Sequence, residues 1–148
     1  MSKVKVVFHD DPRIRRLPSG YKLLVRRVCN AALILEDYPA DAEIRVVFTD
    51  GKYFKDVSSS AEAFDVFPCD GAVGQLYISV GNMAELARIH NRSINCELAY
   101  ITFKGMLIML GYSDNTPAER TELSDRLEWM MYRFGLPITT KYALLQYA

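Results

Sequence analysis

Lys104 stands in FKGMLIMLGYSDN, residues Phe103 to Asn115, a run that is otherwise apolar as far as Gly111. An ammonium in such surroundings needs a counter-charge or a route to solvent. Few other side chains offer chemistry. His9 stands beside Asp10 and Asp11, a trio able to attract a cation or simply to form a solvated turn. His90 has no neighbour at metal-ligand spacing and reads as a satisfied or exposed histidine. Cys29, Cys69 and Cys96 are far apart, form no CxxC pair, and point to a reducing compartment rather than a disulfide framework. Tyr53, Phe54, Phe64 and Phe67, with Lys52 and Lys55, could stack bases and neutralise phosphates, or pack beneath a loop. GAVGQLY leads into a strand, the wrong context for a phosphate loop, and no GxSxG elbow occurs.

The chain has 148 residues, 50% of them hydrophobic and 24% charged, which suits one globular domain spanning 1–148. Its 18 basic and 18 acidic residues cancel overall, but not locally. Lys3, Lys5, Arg13, Arg15, Arg16, Lys22, Arg26 and Arg27 face only Asp10, Asp11 and Glu36 within residues 1–36, leaving +5 there and −5 elsewhere. This asymmetry points to an anionic partner or to an ordinary solvated surface. The apolar run Leu98–Leu110 contains Lys104 and falls short of the ~20 residues a membrane helix needs. No signal-peptide stretch opens the chain, and a cytoplasmic protein without a membrane partner is expected.

Periodicity supplies the elements that must position these groups. Strands are expected over Lys3–Phe8, Ala42–Thr49, Phe64–Phe67 (an edge strand stopped by Pro68) and Gly74–Val80. A helix capped by Ser19 should run from about Gly20 to Leu35, and another from Asn82 to about His90. Lys52–Val57 could form a helical turn, and Tyr142–Tyr147 a short final segment. Ser93 or Asn95 should cap an apolar, buried central helix over about 95–110, closed by Gly111. Thr116-Pro117-Ala118-Glu119 is a capping box that opens a last helix to Phe134, with Leu123, Leu127, Met130, Met131 and Phe134 inward. The fold class is α/β (α+β), a mixed sheet of about four strands packed with helices.

In this order of elements, GQLYISVGNMAELA and ELAYITFKGMLIMLGYSDNTPAERTELSDRLEWMM resemble the YbeY family of metal-dependent endoribonucleases, which act in ribosomal RNA maturation. That family pattern is a strand LGDIVIS, a helix, and then HGxLHLxGYDH on and after a buried helix. FDVFP (Phe64–Pro68) is similar to TDVLSFP with two residues missing, and AEIRVVFTD to the second strand. The likeness covers roughly residues 1–135 in element order and is residue-specific from about Asp65 to Trp129. It implies the YbeY-like metalloprotease/ribonuclease scaffold.

The resemblance places three zinc-binding histidines at Lys104, Ile108 and Asp114, and none of these is histidine. Gly105, Leu107, Leu110, Gly111 and Tyr112 keep the framework between them. Gln75 replaces an acidic residue, Asp65 is retained, and no arginine occurs between Arg45 and Arg88. Two histidines four apart on one helix share a face, and a third from the following loop closes a site whose metal activates water. Ile108 removes a lone pair, and Lys104 places a cation where a cation would bind. The implied outcome is loss of zinc, with no cofactor, no metal ligands and no family-type cleavage. Lys104 is then expected to pair with Asp114 while Ile108 fills apolar volume, or else to reach solvent along the helix edge.

Three functions follow. One is a non-catalytic YbeY-like protein, a pseudoenzyme that binds RNA, the ribosome or a protein partner; Arg13, Arg15, Arg16, Lys22, Arg26 and Arg27 are its RNA-binding candidates. Another is an active ribonuclease with a rebuilt site using Asp65, Asp114 and His9 with a hard cation. The last is an interaction subunit that offers Met130, Met131, Tyr132 and the tail residues Tyr142, Leu144, Leu145 and Tyr147.

Overall fold

The computed structural model describes residues 3–9, 17–49 and 62–139. Its elements are β1 (Val4–Phe8), α1 (Tyr21–Leu35), β2 (Ala42–Thr49), β3 (Phe64–Phe67), β4 (Gly74–Ser79), α2 (Val80–Ile89), α3 (Ile94–Met109) and α4 (Pro117–Phe134). The expectations for Lys52–Val57, for the tail from Tyr142 and for Arg13, Arg15 and Arg16 lie outside the described residues.

The strands form one sheet in the order β1-β2-β4-β3. β1 and β4 both run parallel to β2, and β3 runs antiparallel to β4. The parallel β1–α1–β2 unit needs a crossover, which α1 provides. Alternation in β2 decides the faces. Ala42, Ile44, Val46 and Phe48 are buried, while Glu43, Arg45 and Val47 are part-exposed. Helices therefore cover one face, and Lys5, Arg45, Tyr77 and Asp65 fall on the other.

α3 is the centre of the core. Leu98, Ala99, Ile101, Phe103, Met106 and Leu107 are fully buried or nearly so. Burying a large apolar side chain contributes roughly 1.5–3 kcal/mol, so this helix tolerates one costly lysine at its margin. Gly105 sets its depth: a Cβ there would lie 2.6 Å from Leu76 Cδ1 on β4. A larger residue there would force the Leu76 side chain, itself fully buried, to shift.

The helix ends largely follow the sequence. Ser93 Oγ accepts from Cys96 N–H at 3.0 Å, and Thr116 Oγ1 accepts from Glu119 N–H at 3.1 Å. Gly111, with φ 111°, ends α3. Ser19 is not the cap of α1; Gly20 holds that position at φ 140° with no side-chain cap bond. Val80 does not extend β4, because Ser79 Oγ accepts from Asn82 N–H at 3.3 Å and caps α2, which starts at Val80, two residues ahead of the expected Asn82. Met130 and Met131 are wholly buried and supply no contact surface, since they lie on the inward stripe with Leu123 and Leu127. No described helix is long and apolar enough to cross a membrane.

Candidate functional site

Lys104 lies on the margin of α3, with 15% of its side chain exposed. Its Nζ is ion-paired with Glu62 Oε1, just ahead of β3. The expected partner, Asp114, is exposed in the loop after α3 and acts on Lys104 only through its field. Lys104 does not reach freely to solvent either. Burial works against its charge, but the hydrogen bond and charge of Glu62, with smaller contributions from Tyr100 and Asp114, outweigh that penalty and hold the ammonium above the ordinary lysine pKa. Burial also raises the pKa of the neighbouring Tyr100 phenol.

Ile108 follows one turn later on α3 and packs part-buried against the core. Lys104, Asp114, Tyr100 and Arg120 meet around a cavity of about 220 Å³ between α3 and α4, floored by Leu123 and Leu127. Arg120 Nη1 donates to Asp114 O at 3.1 Å and fixes the loop. The same loop is anchored from its other side. Tyr112 Oη donates to Glu36 at 3.1 Å from Oε1, and Arg126 Nε donates to that oxygen at 2.7 Å. Arg126 Nη2 also donates to Leu35 O at 2.8 Å, tying α4 to the end of α1.

Asp65 is not part of this cluster. Phe64 faces Gly105 and the helices, so the alternate residue Asp65 faces outward from β3, opposite Tyr77. Its Oδ1 accepts from Val66 N–H at 2.9 Å. His9 directly follows β1, at the opposite edge of the sheet from β3. A cation site built from Asp65, Asp114 and His9 therefore has no common centre.

Donor chemistry decides whether zinc fits the family positions. Lys104 presents a protonated ammonium engaged with Glu62, Ile108 a hydrocarbon, and Asp114 one exposed carboxylate. A tetrahedral zinc site takes three or four lone-pair donors, so this set does not fit one. Among the described residues no group of three or more His, Cys, Asp or Glu side chains is arranged to hold a metal ion.

Sequence reasoning missed two features. Glu62 gave no local signal as a partner of Lys104. Glu97, almost fully buried in the first turn of α3, lies 3.1 Å from His90 Nδ1 and accepts from Arg92 Nη1 at 3.2 Å. This satisfies His90 and ties α2 to α3; an acid opening an apolar helix was the available clue.

Of the anionic-partner candidates, Lys22, Arg26 and Arg27 lie on α1. Lys22 Nζ and the Arg26 guanidinium sit over the Phe8 ring, 5.5 and 5.0 Å from its centre. Arg26 and Arg27 line a cavity beside β1 with Lys5 and Asn30.

Comparison with known proteins agrees with this scaffold. Residues 2–135 match the family model for endoribonuclease YbeY. The endoribonuclease YbeY of Caldanaerobacter subterraneus subsp. tengcongensis is 28% identical over an alignment covering 88% of this chain and 98% of that protein. Its counterpart from Desulforamulus reducens is 27% identical, covering 76% and 86%, and that from Streptococcus suis 28%, covering 90% and 76%.

Proposed function

Because this chain belongs to the endoribonuclease YbeY family, we propose that it keeps the family's association with ribosomal RNA maturation but not its metal-dependent cleavage. The observation that carries this reading is the ion pair between Lys104 and Glu62 at a position where the family resemblance places a metal ligand. A metal-bound water needs open lone pairs at that point, and the pair supplies a fixed cation already neutralised by an acid. Ile108 removes a second donor. The protein is then a pseudoenzyme without zinc.

RNA association draws support from family membership and from the +5 excess in residues 1–36. Lys22 follows Arg13, Arg15 and Arg16 in sequence and extends that charge onto the first turn of α1. Binding of this kind is electrostatic, and its affinity should fall steeply with salt.

The test is to incubate the protein with ribosomal RNA, with and without zinc, manganese or magnesium, and to measure binding and cleavage separately. Retention of RNA on a filter at low salt, with intact RNA under every metal condition, is the expected result. Chelator-sensitive cleavage would overturn the loss of activity, and absence of binding at low salt would overturn the RNA association.

A further inference from the structure

α1 carries an exposed stripe that its core-facing side does not explain. Leu23, Arg26, Arg27, Asn30 and Ile34 recur at helical spacing on the outward face. Ile34 is 63% exposed and Leu23 52%, which is high for large aliphatic side chains. Arg26 and Arg27 have no ion-pair partner among the described residues. The stripe is therefore apolar at both ends and cationic in the middle.

It borders an open sheet edge. Among the described residues β1 has a neighbour on one side only. Ala42 N–H donates to Lys3 O, and His9 N–H donates to Val46 O, both at 2.9 Å. Odd-numbered residues of β1 thus turn their polar groups toward β2. Backbone groups alternate along a strand, so Val4, Val6 and Phe8 turn their N–H and C=O outward. Two cavities follow this seam. One, of about 490 Å³, lies between Val4 and the apolar end of the stripe at Leu33, Ile34 and Tyr38. The other, of about 420 Å³, continues along Val4–Val6 to Arg26 and Arg27, with Lys5 on the strand side. Asn30 and Val4 border both.

We propose that this seam between α1 and β1 docks an extended protein segment, acidic at one end and apolar at the other, which joins the sheet as a fifth strand beside β1. The backbone groups that Val4, Val6 and Phe8 turn away from β2, without a strand partner among the described residues, supply the pairing, as an exposed edge does in strand addition. Lys5, Arg26 and Arg27 take the acidic side chains of the segment. Leu33, Ile34 and Tyr38 take its apolar ones, and Asp37 at that end disfavours acids there. This polarity fixes the direction of the guest. RNA would use the cations but would leave the apolar half and the hydrogen-bonding edge unused, so the seam favours a peptide. Arg26 and Arg27 are also RNA-binding candidates, so the two ligands compete for the same cations and the experiment below separates them.

A short fluorescent peptide with glutamates toward one end and alternating valines toward the other tests this on the full chain. Binding is read by anisotropy, and backbone exchange by NMR. In the free protein the Val4, Val6 and Phe8 amides should exchange faster than those of Lys5 and Val7, and the peptide should slow them. Arg26→Glu with Arg27→Glu should weaken binding roughly tenfold, while circular dichroism shows the chain still folded despite loss of the Arg26–Phe8 contact. Methylating the peptide nitrogens along one edge should weaken it similarly. Val6→Pro removes an outward donor without breaking the β1–β2 ladder and should act likewise. Slow exchange at all three amides in the free chain would show the edge already covered, for instance by residues 140–148, and would overturn the proposal. So would equal binding of the methylated peptide, insensitivity to the arginine reversals, or binding at this seam of single-stranded RNA in place of the peptide.

Discussion

Lys104 on α3 and Glu62 ahead of β3, 42 positions apart in sequence, meet in an ion pair at the margin of the core. The two ends are unequally placed, with 15% of the Lys104 side chain exposed against 37% for Glu62. A carboxylate that loses its partner here turns to water, whereas the ammonium has less room to do so.

Deleting the two partners should therefore have unequal effects. Glu62→Gln strands the lysine and should destabilise by about 1–3 kcal/mol. Lys104→Met places an apolar chain of similar length in the same space and should stay within about 1 kcal/mol of the parent. Urea unfolding of both variants checks this; equal losses would place the pair effectively in solvent.

The same pair predicts behaviour in alkali. The folded pKa of Lys104 lies above the ordinary 10.5, so folding holds its proton more tightly. Its contribution to stability is complete below that ordinary value and is lost as pH rises through the folded one. Burial raises the pKa of Tyr100 as well, which makes stability fall in the same direction. The difference between the parent and Lys104→Met isolates the lysine: the parent's unfolding midpoint should fall relative to that of Lys104→Met as pH rises above 10.5.

Gly105 predicts a packing coupling. Gly105→Ala would drive a Cβ to 2.6 Å from Leu76 Cδ1 and should cost about 1–3 kcal/mol. Leu76→Val shortens the opposing side chain, so the double variant should be more stable than the sum of the single losses allows. A double-mutant cycle by chemical denaturation reads the coupling directly.

Restoring donors tests the proposed loss of zinc. The combined substitutions Lys104→His, Ile108→His and Asp114→His rebuild the family pattern on this backbone. The variant should bind zinc stoichiometrically by elemental analysis, and the parent should not. Zinc retained equally by the parent would contradict the reading of Lys104.

What the sequence disclosed depended on distance along the chain. The box Thr116–Glu119 and the cap Ser93 were legible because donor and acceptor sit within one turn. The start of α2 at Val80 was not, because Val80 fits a strand and only the Ser79–Asn82 bond turns it into a helix. Lys104 was conspicuous in an apolar run, yet its partner was hidden, since no local pattern joins residues 42 positions apart. Met130 and Met131 fitted either an inward stripe or a contact surface; burial under neighbouring elements decided for the former. The outward stripe of α1 was visible as charge, but the open edge beside it emerged only from strand order.

Gly105 sits between positions 104 and 108 and meets the sheet, while Lys104 turns toward the α3–α4 cavity. The depth of the helix is set by an absent side chain, separately from the groups that face the cavity. Contact with the sheet at Gly105 and the groups that face the cavity are thereby carried by different positions of the same helix. A scaffold partitioned in this way lets the residues at positions 104 and 108 be exchanged, as in the triple-histidine variant, with the packing of α3 on β4 left in place.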